Sequence, residues 1–334
     1  MSIVTDFLEF EKQHSLFEIQ ADGVPIWERL RFGTSRSIQR QNGLGQAHSS
    51  SQDGLGKYLT ALQRLLKNTL YKNPYLANPS EIVFVGHPRR KQVEDDQWWD
   101  IYCDPIHQEL PTEYLHVEHS GLNGHQSPTP TPQLRYLDLI RYLGLLQQQL
   151  GINKPNLSKQ TEQKLDDVSE TIEDEFGAVV NLTADAEASL HQRRTQLHLY
   201  KWFLQRVDPS LLVIVVGYGK ETLIEACKQL DIPVVELQHG VIYEYHWGYS
   251  FPGSRTKEMF PDYLLTFGDF WSEGIEFPIP DDRIIPVGYP YLDQSTDRYE
   301  EAKTKNQLLF ISQGTIGEKL SKYAMEVKNH PAVD

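Results

Sequence analysis

Residues 236–249 read ELQHGVIYEYHWGY. His239 closes an apolar run and is followed at once by Gly240, and a second histidine, His246, lies shortly downstream among aromatics. An imidazole at a strand end beside a glycine opens onto a crevice. With an ordinary pKa near about 6.5 it suits removal of a proton from a hydroxyl. The competing role is to cap a turn or bond a backbone carbonyl. Gln238, Gly240, Glu244 and His246, with Tyr243, are candidate contacts to a polyhydroxylated substrate, and the same residues can simply hold the loop. Two carboxylates are placed to orient His239: Glu236, on the same strand face, and Glu244, in the loop. Both assignments stay open.

Three further stretches carry polar chemistry after apolar runs or glycine turns. Gly217-Tyr218-Gly219-Lys220 allows close backbone approach before a helix starting near Glu221, whose free amides suit an anion. It is not a Walker loop, and its G-x-G lacks the third glycine of the dinucleotide fingerprint, so a tight strand-to-helix turn is the competing reading. His87-Pro88-Arg89-Arg90 offers an imidazole and cations for an anionic group, or a solvated run of surface charge. Ser312, Gln313, Gly314 and Thr315 lead into a helix start that suits a donor diphosphate or is merely capped. No H-E-x-x-H, C-x-x-C or G-x-S-x-G pattern occurs, so the sequence carries no metal or cofactor signature.

For these residues to meet, the runs before them must be strands of one parallel sheet, whose carboxyl ends face a shared ligand crevice. EIVFV from Glu81, EYLHVEH from Glu113, LLVIVV from Leu211, IPVVEL from Ile232, YLLTF from Tyr263 and RIIPV from Arg283 read as such strands. ETLIEACKQL supplies a crossover helix between two of them. The expectation is an α/β fold: a doubly wound, mainly parallel Rossmann-like sheet with helices on both faces, plus the start of a second such domain. The first domain spans 1–295 and carries a helical insertion at about 134–208, a linker follows at 296–306, and 307–334 supply one strand, a glycine loop and a helix. At the N-terminus LFEIQ reads as a strand turning at Asp22-Gly23 into a second short element. A loop is expected from Ser35 to Gly56, then a helix over 57–70.

The chain has 334 residues, enough for two domains, and 39% apolar residues, enough for a substantial core. Its net charge of -14, from 32 basic and 46 acidic residues, argues against nucleic acid as partner. Cys103 and Cys227 are far apart and read as buried thiols of a cytoplasmic protein. The opening MSIVTDFLEFEKQHS carries acids where a signal peptide needs a basic region, and the apolar stretch from Leu134 contains Arg135, Asp138 and Arg141, against a membrane span. Peripheral contact with the inner face of a membrane stays open.

The ordered set VGYGKETLIEACKQLDIPVVELQHGVIYEYHWGY, FPDYLLTFGDFW and PVGYPYLD resembles the acceptor half of GT-B glycosyltransferases, most of all those of surface-polysaccharide and capsule synthesis. CDP-glycerol glycerophosphotransferases and UDP-N-acetylglucosamine 2-epimerases are similar in the His239-Gly240 step and in the G-x-P-x-x-D step from Gly288 to Asp293. The resemblance covers roughly residues 80 to 330. It implies an inverting transfer from a nucleotide sugar to a glycan or lipid-linked acceptor, with His239 as base and the donor diphosphate in an interdomain cleft. An epimerase, a polyol-phosphate transferase and a non-catalytic glycan- or partner-binding domain are the alternatives. Only 307–330 stand where a donor domain needs several β-α units, so the resemblance leaves a longer enzyme, a partner chain or second copy, or lost activity to account for the rest.

Overall fold

The computed structural model describes residues 3–43, 71–93, 96–121, 124–251, 257–296, 308–312 and 317–330, with Gln63 and Leu66. Its centre is a seven-stranded sheet, all of whose pairings are parallel. In chain order the strands are β1 (Ile82–Val85), β2 (Tyr114–Glu118), β3 (Leu134–Tyr136), β4 (Leu211–Val215), β5 (Val234–Leu237), β6 (Tyr263–Thr266) and β7 (Ile284–Pro286). Across the sheet they run 7-6-5-4-1-2-3. This is the doubly wound Rossmann-like order, in which the direction of winding reverses between β1 and β4 and opens a crevice at their carboxyl ends.

The continuous apolar runs are explained by burial on both faces. Val83, Val85, Leu212 and Ile214 pack on one side against α4 (Asp138–Gln149), α6 (Leu182–Val207) and α7 (Glu221–Lys228), through Ile140, Phe203, Leu204 and Ile224. Phe84, Val213, Val215 and Leu237 face the other side, where they meet Cys103 just before α3 (Asp104–Glu109). Burying each such side chain contributes about 1.5–3 kcal/mol, which is why the central strands carry almost no polar residue.

A second core lies beside the sheet. It joins α1 (Ile3–Gln13), α2 (Ile26–Gln41), α5 (Lys159–Phe176), the first turns of α6 and the segment that follows β5. In α5, Leu165, Val168, Ile172 and Phe176 recur at helical spacing; Ser158 caps its start by accepting from Thr161 N at 3.1 Å, and Gly177 closes it at φ 61°. Between α1 and α2 a buried Arg31 donates to both Glu11 carboxylate oxygens, at 2.5 and 2.8 Å, and to the Trp247 carbonyl at 2.6 Å. The N-terminal helices thereby hold the loop that carries His246.

Four local expectations are corrected. Of LFEIQ, read as a strand, Leu16–Glu18 form a 3-10 turn and only Gln20 belongs to a strand, the two-residue Gln20–Ala21 paired antiparallel with Val24–Pro25. α2 continues to Gln41 through the stretch read as loop from Ser35, because Leu30, Arg31, Thr34, Ser35 and Ile38 are buried along one helical face. Leu134–Tyr136 is an edge strand paired with β2, not the first turn of a helix. Residues 308–312 are exposed and lie in no strand, although the helix expected after them is present as α9 (Gly317–Lys328). A lone strand has no ladder to join, so the apolar run at Leu308 takes no sheet structure. Apart from Gln63 and Leu66, both helical, the helix read at 57–70 lies outside the described residues, as do 297–306 of the linker. The linker's first residue, Thr296, ends α8 (Pro290–Thr296). Among the described residues no helix is long and apolar enough to cross a membrane.

Candidate functional site

Because the strands are parallel, their carboxyl ends share one rim, and the residues after β1, β4 and β5 meet there. His239, just past β5, stacks on His87, just past β1, with ring centroids 6.1 Å apart and planes at 15°. Tyr218, from the turn after β4, places its hydroxyl 3.0 Å from His239 Nε2. On the other side of the ring, the Tyr249 hydroxyl lies 3.3 Å from Nδ1 and donates to Glu236 Oε1 at 2.5 Å. Its one proton is used on the carboxylate, so Tyr249 accepts from Nδ1–H. Nε2 then carries the lone pair and accepts from Tyr218. The result is a directed chain from Tyr218 through His239 and Tyr249 to Glu236.

Glu236, not Glu244, is therefore the carboxylate behind His239, and it acts through a tyrosine. Its side chain is 1% exposed, and burial raises its pKa against the opposing pull of the Tyr249 hydroxyl, the Gly217 N–H and the Lys220 charge. Gly217 is required by this approach: a Cβ there would sit 2.5 Å from Glu236 Oε2. The preceding Val216 has φ 72°, an uncommon conformation for a β-branched residue, which turns the chain sharply out of β4.

The electrostatics favour neutral imidazoles. Burial, followed by the neighbouring His87, His246, Lys220 and Arg89, pushes His239 down to about 3. Burial and the Lys220 and Arg89 charges take His87 to about 4. Tyr218 is pushed up to about 12 by burial and the Glu236 charge. His239 is thus an uncharged acceptor across the neutral range, with far less basicity than the ordinary value near about 6.5 expected from the sequence.

The other residues singled out in the sequence divide into three groups. Lys220 and Gly219 stand in the turn beside the cluster. The Lys220 ammonium is turned inward onto the Val215 and Val216 carbonyls at 2.8 and 2.6 Å, and burial lowers it to about 8. His246 joins the aromatic wall, its ring centroid 4.9 Å from that of Tyr249, while its Nδ1 accepts from Gly248 N at 3.0 Å. Gln238 is buried and ties β5 to β6, donating to the Gly240 carbonyl and accepting from Phe267 N, both at 2.7 Å.

Arg90 is not a surface cation. It is buried against Glu118 at 2.8 Å and Asp104 at 3.5 Å, and also donates to Thr129 and Thr131, so its charge is spent within the fold. Arg89 is exposed and lines a cleft of about 700 Å³ with Trp98, Ser120, Gly124, Gln126 and Arg141. Glu244 and Tyr243 are exposed, the Tyr243 ring 6.0 Å from that of His246, and Ser312 is exposed on the segment before α9. Gln313, Gly314 and Thr315 lie outside the described residues.

Sequence reading does not find Tyr102, Tyr249, Asp100 or His116. Tyr102 donates to the His239 carbonyl at 2.6 Å and stacks on Tyr289, which in turn stacks on Phe267. An aromatic shelf therefore lines the rim beyond His239. Asp100, Cys103 and His116 each bring a ligand-type atom within 4.8 Å of the others, a juxtaposition invisible in their spacing. The Asp100 carboxylate and His116 Nε2 are already engaged. Asp100 accepts from the backbone of His87, Tyr102 and Cys103, and the Arg90 guanidinium stands 3.4 Å from His116 Nε2. A guanidinium at that distance supplies the cation and opposes a second one.

No protein-family model matches the chain, and no curated protein matches it in sequence.

Proposed function

We propose that the chain is the acceptor-side domain of a GT-B-like glycosyltransferase, which moves a sugar from a nucleotide-sugar donor to a hydroxyl of a glycan or lipid-linked acceptor. One observation carries the reading: His239 stands at the sheet's switch-point rim with its Nε2 lone pair turned to the Tyr218 hydroxyl and its Nδ1–H backed by Tyr249 and Glu236. In the proposed step the acceptor hydroxyl takes the place of Tyr218 at Nε2 and gives up its proton there. Its oxygen attacks the anomeric carbon, and the carbon–oxygen bond to the nucleotide diphosphate breaks with the electron pair leaving on the diphosphate. A single displacement inverts the anomeric configuration.

The imidazolium formed is stabilised through Nδ1–H and Tyr249 by the Glu236 charge, the same role a carboxylate plays behind other catalytic histidines. Loss of charge by proton return restores the neutral ring that the buried site favours. That low basicity also favours a second reading on the same residues, a glycan-binding domain without turnover, in which the aromatic shelf of Tyr102 and Tyr289 stacks on sugar rings.

The experiment is a screen of nucleotide sugars for donor hydrolysis and transfer, with His239→Ala as control. Turnover that depends on His239 supports the transferase. Glycan binding without turnover by any donor leaves the second reading, and neither turnover nor nucleotide-sugar binding ends the first.

A further inference from the structure

Tyr102, Phe267 and Tyr289, the rings of the shelf, also line a small pocket of about 160 Å³ at the carboxyl ends of β5, β6 and β7. Ile106 from α3, Leu237 from β5, Leu265 from β6 and Val287 just past β7 face the same space. It is open for a local reason. Along one row of paired residues, Leu237, Leu265 and Ile285 pass from buried to half-buried to exposed, although β6 is an interior strand. Between Thr266 and Ile284 the chain forms two 3-10 turns, Asp269–Trp271 and Asp281–Arg283, in place of the crossover helix that covers the face of most parallel sheets.

The polar groups around the pocket are mostly used within the fold. The Tyr102 hydroxyl donates to the His239 carbonyl at 2.6 Å, and the Gln238 amide donates to the Gly240 carbonyl and accepts from Phe267 N, both at 2.7 Å. The Gln238 and Val287 N–H groups serve the Leu265 and Thr266 carbonyls, each at 2.9 Å. Of the polar side chains lining the pocket, Tyr289 alone keeps an unbonded hydroxyl among the described residues, and one hydroxyl does not repay the water lost by a sugar ring or a phosphate. Hydrocarbon has no such loss and gains from leaving water. The carbon surface it needs is within reach: Tyr102, Ile106, Leu265, Phe267 and Tyr289 are half-buried, and Val287 is 50% exposed. Size limits the occupant, since an apolar cavity of about 150 Å³ admits benzene, whereas sites for whole ligands span about 300–1,000 Å³. The pocket therefore suits one part of a ligand. That part lies beside His239, because Gln238 precedes this histidine and Tyr102 holds its carbonyl.

We propose that this pocket is a subsite for an apolar substituent of about six carbons or fewer on the small molecule whose hydroxyl meets His239. The proposal rests on the rim as the ligand site and is independent of the transfer chemistry.

The test is a methyl NMR titration of the full chain with benzene, cyclopentane and glycerol. Benzene or cyclopentane is expected to shift the methyl signals of Ile106, Leu237, Leu265 and Val287 saturably, and glycerol, of similar size, to leave them in place. Tighter binding of benzene assigns the substituent as aromatic; tighter binding of cyclopentane assigns it as aliphatic. Leu265→Trp fills the pocket from β6 and is expected to weaken hydrocarbon binding about tenfold or more, the scale of losing the burial of a ring. Ile106→Trp fills it from α3 with the same expected effect, and circular dichroism of both variants separates lost binding from lost folding. No saturable shift with either hydrocarbon, equal shifts with glycerol, or binding undiminished in both folded variants overturns the proposal. His239→Ala is expected to bind benzene normally, so a chain that binds benzene but turns over no nucleotide sugar ends the transferase reading alone.

Discussion

The Tyr218 hydroxyl and His239 Nε2 lie 3.0 Å apart, although 21 positions separate the residues in sequence. They meet because β4 and β5 are adjacent and parallel, so the turn after one faces the turn after the other. A hydroxyl that donates to Nε2 stabilises the neutral imidazole and opposes its protonation. Tyr218→Phe is therefore expected to raise the His239 pKa from its depressed position toward the ordinary histidine range. Histidine NMR titration of the variant against the parent checks this, and an unchanged or lower value contradicts the hydrogen-bond direction assigned here.

Gly217 sits where backbone and carboxylate are closest. An alanine Cβ would lie 2.5 Å from Glu236 Oε2 and 3.1 Å from Pro261 Cγ. Glu236 is pinned by Tyr249, and the proline ring has little freedom, so the turn itself must shift. Gly217→Ala is expected to destabilise the fold by about 1–3 kcal/mol, the usual cost of overpacking. It should also disturb His239, because the same carboxylate stands behind Tyr249. Urea denaturation measures the first effect and the His239 NMR signal the second.

Acid lability follows from the buried imidazoles. His239, His87 and His119 fall to about 3, 4 and 4, in each case chiefly through burial. Their folded pKa values lie below the unfolded value near about 6.5, so between these limits the unfolded chain binds more protons than the folded one. Stability contributed by the neutral rings is present above about pH 6.5 and is lost as pH falls toward 4 and below. The thermal midpoint is expected to drop steadily over that interval, and His119→Gln is expected to flatten the slope. A midpoint flat from pH 7 to pH 4 contradicts the burial of these rings.

The sheet is legible in the sequence because strands covered on both faces read as unbroken apolar runs, Leu211 to Val216 above all. Leu134–Tyr136 escapes detection because three edge residues, with Arg135 at their centre, run directly into a helix without a breaker. The full length of α2 is hidden for a different reason: its buried face uses Arg31, Thr34 and Ser35, whose burial depends on partners such as Glu11 that local periodicity does not reveal. At the site, the glycine-marked strand ends and His239 are legible from the rule that parallel strands share a rim. Tyr102 is not, since its partner His239 lies 137 positions away. Long-range meeting of polar side chains is set by packing, and a single sequence carries no local signal of it.

His125 titrates with the opposite sign from the three imidazoles above. It bridges Glu118 at 2.9 Å and Asp138 at 2.5 Å, with its ring stacked on Tyr136. Burial opposes protonation there, yet the hydrogen bonds and charges of Asp138 and Glu118 outweigh it and raise the pKa. Glu118 already shares its other oxygen with Arg90, so only Asp138 depends on His125 for a cationic partner. The folded pKa lies above the unfolded one, so this triad's stability is complete below about pH 6.5 and is lost as pH rises through the folded value. His125→Gln is expected to cost about 1.5–3 kcal/mol at pH 6, the range for hydrogen bonds to charged groups, and less at pH 8.5. Chemical denaturation at both pH values measures the difference. A penalty that grows with pH contradicts a protonated His125, because only the charged ring can donate to both carboxylates at once.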